Sequence, residues 1–158
     1  MMLFGKIIIL NFNVVLVIKM ENGSFNIIMF SGTADKLIPL GVLTQTAANM
    51  GVPVRIFVTG WAMTVFKKDG PKNANRISKE FEDVAPMLMK GLQDMKAPSW
   101  YDMLKSAKEI GDVKIYACSL MSEALKLKSL QDFDPIVDDI IGAASFMQMS
   151  AGGQVIFI

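Results

Sequence analysis

Short apolar runs separated by helical patterns constrain this chain more than any other feature of it. Phe25 to Phe30 (FNIIMF) is apolar and bounded by turn residues, which suits a strand buried on both faces of a parallel sheet. Leu40, Leu43, Ala47 and Met50 then recur at spacings of three and four, with Pro39 expected in the first helical turn and Gly51 as the stop. Val52 to Val58 forms a second run, with Pro53 at its entrance, where no central ladder bond is lost. Val113 to Ala117, Asp139 to Ile141 and Val155 to Ile158 supply a third, a short fourth and a final strand. Between them lie a helix from about Ser99 to Ile110, an amphipathic stretch through Leu127, and a helix from about Gly142 to Ser150. Ser99 with Asp102 three residues on marks the first of these helix starts, and Gly111 its end. Strands alternating with helices predict an α/β fold whose parallel sheet is covered on both sides, because each crossover lays a helix on a sheet face.

Two stretches fall outside this rhythm. Residues 69–98 are punctuated by Asp69-Gly70-Pro71, Pro86 and Ala97-Pro98, and read as a Met-rich helical insertion patterned at Ile77, Phe81 and Val84. Its Met87, Met89 and Met95 fit gap-filling core better than an adaptable contact surface, since methionine is a common packer. Residues 1–19 form an apolar N-terminal extension, and the functional unit is expected to be a single domain over 20–158, with Met20 a second plausible start. Leu3 to Ile18 contains Lys6, Asn11 and Asn13 and is shorter than the ~20 residues of a membrane-spanning helix. An over-long start, an added edge strand and, as the least favoured reading, membrane contact through residues 3–18 remain open. The segment also lacks the uninterrupted apolar region and small-residue cleavage site of a signal peptide.

Composition then removes most enzyme classes. With no His in 158 residues, Ser-His-Asp and Cys-His catalysis, HExxH zinc sites and imidazole acid-base chemistry are unavailable. The single Cys118 forms no intramolecular disulfide or CxxC pair and is a poor start for a metal site, so no metal is expected. Such cysteine usage fits a reducing, cytoplasmic setting. Sixteen Lys and Arg against fifteen Asp and Glu give no electrostatic reason to expect a nucleic-acid partner.

In open parallel sheets, binding and reactive groups collect beyond the carboxyl ends of the strands. Ser31-Gly32-Thr33, Thr59-Gly60-Trp61 and Cys118-Ser119 all fall at that edge. A thiol at a strand-to-helix junction lies near the positive end of the helix that follows, which favours the nucleophilic thiolate; free cysteine is also a common buried filler. Lys36, near the start of the first helix, is either an aid to that thiolate or a solvated surface lysine. Ser31 to Asp35 resembles the opening of a phosphate-cradling turn but lacks both GxGxxG and GxxxxGK[ST]. Asp132, Asp134, Asp138 and Asp139 read as a solvated acidic face in preference to a docking patch for a basic partner, and Asp134-Pro135 as a turn.

FNIIMFSGTAD (25–35), VRIFVTGWAMTVFKK (54–68), VKIYACSLMSEALKL (113–127) and the terminal VIFI together resemble the DsrE/DsrF-like family, and more narrowly its branch once labelled peroxiredoxin-like. The most specific element is the strand ending in Ala-Cys followed by Ser and Met, here Cys118, Ser119, Leu120 and Met121. The resemblance implies a flavodoxin-like three-layer α/β/α sandwich with a mostly parallel, about five-stranded sheet, assembled as a homo-oligomer. It also implies sulfur trafficking without a bound cofactor: Cys118 would carry sulfane sulfur as a persulfide or thiosulfonate and exchange it with a TusA-like or rhodanese-like carrier, as a sulfur carrier or sulfurtransferase. The chain is not expected to be a peroxiredoxin, because Ile115 stands where the peroxidatic Thr-x-x-Cys arrangement has threonine. The competing expectation is a noncatalytic oligomeric module that binds a small ligand beside Ser31, Gly32, Thr59 and Trp61, with Cys118 structural.

Overall fold

The structure, a computed structural model, describes residues 23–158. The apolar 3–18 stretch, the alternative start at Met20, and Glu21 and Asn22 of the turn before the first strand lie outside the described residues.

Five strands form one all-parallel sheet: β1 (Phe25–Met29), β2 (Val54–Val58), β3 (Val113–Cys118), β4 (Asp139–Ile141) and β5 (Gln154–Phe157), in the order β4-β3-β2-β1-β5. The register aligns Ile27 with Ile56 and Ile56 with Ile115, so one face presents a row of β-branched side chains. Helices α1 (Ala34–Asn49) and α4 (Trp100–Ile110) cover that row with Leu37, Leu40, Ala47, Trp100, Leu104 and Ala107, and the short α2 (Met63–Phe66) adds Met63 and Phe66 to the same core. The α/β, flavodoxin-like architecture expected from the alternating runs is therefore the one observed.

Ser99 caps α4, its Oγ accepting the Asp102 N–H at 3.1 Å, and Gly51, with φ of 71°, follows α1 where a left-handed residue ends a helix. Pro39 is a correction. It lies inside α1, which starts at Ala34, because Ala34 and Leu37 are already buried against the sheet. Burial there outweighs the one helical hydrogen bond that the proline ring forgoes.

The opposite face departs further from expectation. It is covered among the described residues chiefly by α6 (Ala143–Met149), which buries only Phe146 of its seven residues. Coverage on both sides is thus uneven, and Val155 and Phe157 of the edge strand β5 are 47% and 66% exposed.

Residues 69–98 hold single 3-10 turns at Pro71–Asn73 and Lys79–Phe81 and one helix, α3 (Ala85–Asp94). Ile77 is not helical: the chain around it is tied to α1, where the Ala34 N–H donates to the Arg76 carbonyl and the Asp35 carboxylate accepts the Ser78 N–H and Oγ. The methionines do not fill a core. No residue of α3 is buried, and Met87 and Met95 are 75% and 78% exposed. The amphipathic pattern is real, but a pattern states which side of a helix is apolar and not what lies against it.

Candidate functional site

Strand β3 ends at Cys118, which is the N-cap residue of α5 (Ser119–Ala124). Alternation along β3 sends Ile115 and Ala117 into the α1/α4 core and turns Tyr116 and Cys118 to the other face. There Cys118 joins a small cluster with Phe57 and Phe146, whose rings stack with centroids 4.9 Å apart; Ile28, Tyr116, Met121 and Ile141 border it. Cys118 is only 7% exposed. Its carbonyl accepts the Ser122 hydroxyl at 2.9 Å, which fixes the first turn of α5.

A cavity of about 540 Å³ lies between α5 and β4, lined by Ser119, Ser122, Glu123, Leu127, Lys128 and Ile140; neither Cys118 nor any residue of its cluster is in the wall, and Leu127 and Ile140 pack against the main core. Leu120 points outward at 73% exposure, and Met121 reaches both the main core and the Cys118 cluster.

The other two turns at the carboxyl edge pack on each other. The Thr59 N–H donates to the Met29 carbonyl at 2.9 Å and the Ala62 N–H to the Phe30 carbonyl at 2.8 Å. Ser31 and Thr33 pair through their hydroxyls at 3.0 Å, and Thr33 reaches the Ser78 hydroxyl at 3.3 Å. This closes the turn that resembled a phosphate cradle, since the chain around Arg76 and Ser78 already occupies the α1 N-terminus. Trp61 is 68% exposed on the rim. Cys118 makes its cluster with neither turn, so the two halves of the edge are separate features. Lys36 belongs to the Ser31 side, half exposed and 3.8 Å from the Asp35 carboxylate. Burial opposes the charge on Asp35, but the Ser78 and Thr33 hydrogen bonds outweigh it and hold this carboxyl below its usual range.

Gly60 fixes how the Thr59-Gly60-Trp61 turn sits. Its φ is 53°, and a Cβ there would lie 2.4 Å from the Phe30 ring. Gly60→Ala is expected to cost about 1–3 kcal/mol, from the left-handed backbone and the displaced ring together. An unchanged urea midpoint would show that the turn relaxes freely.

The acidic stretch is also a correction. Asp134 accepts the Tyr101 hydroxyl at 2.7 Å and the Ile136 N–H at 3.0 Å, the latter closing the expected turn. Burial first, then the Asp134 hydrogen bond, pushes the Tyr101 phenol up to about 12. Asp138 accepts Lys108 at 2.6 Å and the Ile115 N–H at 2.8 Å, and Asp132 caps Ser129. Asp134 and Asp138 thus fasten distant segments together, whereas Asp132 bonds only to neighbouring Ser129 at the surface and Asp139 is exposed, as a solvated face requires. The groups that cover the cysteine, Phe57 and Phe146, carried no functional signal in the sequence beyond their apolar character.

A five-stranded parallel sheet with one thiol at its carboxyl edge defines a flavodoxin-like α/β protein. The model of the DsrE/DsrF/DrsH-like family matches residues 21–87, the segment that contains FNIIMFSGTAD and VRIFVTGWAMTVFKK. That family is associated with sulfur relay. The match ends before β3, so Cys118 lies beyond it. Comparison with curated proteins gave no match. Among the described residues no helix is long and apolar enough to cross a membrane, and no group of three or more His, Cys, Asp or Glu is placed to hold a metal ion.

Proposed function

We propose that the protein is a sulfur-relay component that carries sulfane sulfur on Cys118. The observation that supports this best is the position of the thiol: outside the main core, at the carboxyl end of a central strand, beneath a short helix anchored by little besides Phe146. In this reading the Cys118 thiolate attacks a sulfur–sulfur bond of a donor such as polysulfide or tetrathionate. A new bond forms between Sγ and the transferred sulfur, and the remainder of the donor leaves with the electron pair. A thiolate on a partner carrier then attacks the outer sulfur and returns Cys118 as thiolate, so no net oxidant is needed. Donor and acceptor reach the thiol when Phe146, its cover on the α6 side, yields.

The low exposure of Cys118 favours a second reading, in which the thiol is structural and the chain is a binding module. Intact-mass spectrometry separates the two. After incubation with polysulfide or tetrathionate the native chain is expected to gain a sulfur or thiosulfonate adduct, and Cys118→Ser to gain none. A native chain that stays unmodified with both donors under native conditions favours the binding module.

A further inference from the structure

A second cavity, of about 530 Å³, lies on the other side of the edge, beyond β1 and β2, with Gly32, Thr64, Lys67, Lys68, Asp69 and Arg76 in its wall. We propose that it binds a tetrahedral oxyanion group of the phosphate, sulfate or thiosulfate class, held by Lys67, Lys68 and Arg76.

Charge carries the first step. Three cations meet one carboxylate here, in a chain whose total is sixteen against fifteen. None of the three takes part in an ion pair among the described residues, whereas Asp69 is engaged by Lys72 at 2.9 Å. Two further carboxylates stand near and are already committed: Asp35 to Ser78, and Asp132 to Ser129. Cations that outnumber the carboxylates around them repel one another, and a dianion relieves that repulsion where a monocarboxylate would leave part of it. The guanidinium of Arg76 suits two oxygens of one tetrahedral group.

The frame is fixed before any ligand arrives. The Arg76 carbonyl accepts the Ala34 N–H at 2.7 Å, and the Lys68 N–H donates to the Asp132 carbonyl at 2.8 Å, so both backbones are held from opposite sides. A Cβ on Gly32 would lie 2.8 Å from the Trp61 carbonyl, so the wall is backbone at that point. With the backbone fixed, the cost of binding is confined to ordering the three exposed side chains Lys67, Lys68 and Arg76. The site is independent of the role given to Cys118.

Amide NMR of the full chain, titrated with phosphate, sulfate and thiosulfate at ionic strength held by chloride, tests the assignment. Saturable shifts centred on Gly32, Gly70 and Arg76 are expected. Lys68→Gln combined with Arg76→Gln should weaken binding about tenfold or more, while Lys90→Gln combined with Lys105→Gln, which removes the same two charges elsewhere, and Cys118→Ser leave it unchanged. Saturation by phosphate and not thiosulfate, or the reverse, identifies which oxyanion the site takes. Shifts that never saturate, that scatter over surface lysines, that persist in the double variant or that vanish in Cys118→Ser overturn the proposal; the wild-type shift map decides the point even if a variant folds poorly.

Discussion

Phe146→Ala is expected to raise the rate at which a small uncharged alkylating reagent labels Cys118 by roughly thirtyfold. Phe146 is 2% exposed, stacks on Phe57 and is the one apolar side chain that α6 buries over the thiol. Removing a buried phenylalanine from a full core costs about 3–5 kcal/mol; this cluster is small and lies near the surface, so about 2 kcal/mol is assigned to the opening of α6. Labelling that proceeds through a brief local opening scales with the population of the open form, and about 2 kcal/mol corresponds to the rate change given. The increase should persist well below the urea concentration that unfolds the chain, which separates local from global opening. Phe146→Leu should fall between the two. A native chain that labels as fast as Phe146→Ala would mean that α6 is no barrier, and the thiol would then be freely available to donors. Either result bears on sulfur carriage, because a carrier thiol must be reachable within the time of a transfer.

Much of this architecture is legible in local sequence. The five apolar runs became the five strands because each is short, bounded by turn residues and rich in Ile, Val and Phe, and those properties need no knowledge of distant residues. Ser99 and Asp102 named their own helix start for the same reason. The misreadings share one physical origin, which is that a side chain's partner is set by the tertiary fold. The methionines of α3 have the pattern of a buried helix, yet nothing among the described residues covers them. Asp134 and Asp138 look like a charged surface until Tyr101 and Lys108 arrive from α4. The site divides the same way. The placement of Cys118 at a strand's carboxyl end followed from chain pattern, but its cover followed from Phe57 and Phe146, which only the parallel pairing and the return crossing to β5 bring to it.

Asp138→Ala is expected to destabilise the chain by about 2–4 kcal/mol, the largest effect of any single polar change. The carboxylate, 21% exposed, ties the chain before β4 to two elements: α4 through Lys108 at 2.6 Å, and β3 through the Ile115 N–H at 2.8 Å and Lys114 at 3.4 Å. Its loss leaves a lysine 23% exposed without its counter-charge and a strand amide without an acceptor. Burial opposes the charge on Asp138, but the Lys108 hydrogen bond, the Ile115 amide and the two lysine charges outweigh it, so its carboxyl titrates below the usual range. A group depressed on folding contributes stability that is present above its unfolded value, about 3.9, and is lost as pH falls through the folded value. The native chain should therefore lose stability on acidification below about pH 4, and Asp138→Asn should lose less over the same interval, the remainder coming from Asp35, Asp69, Asp102 and Asp132, whose carboxyls are also depressed. Urea unfolding at neutral and acid pH measures both quantities. The effect should extend to the thiol, because Asp138 immediately precedes β4 and β4 pairs Ile141 with Cys118. Faster amide exchange at Ile140 and Ile141 in Asp138→Asn, with α1 unchanged, would show that this carboxylate holds the strand beside the cysteine; exchange that rises equally everywhere would show only a general loss of stability.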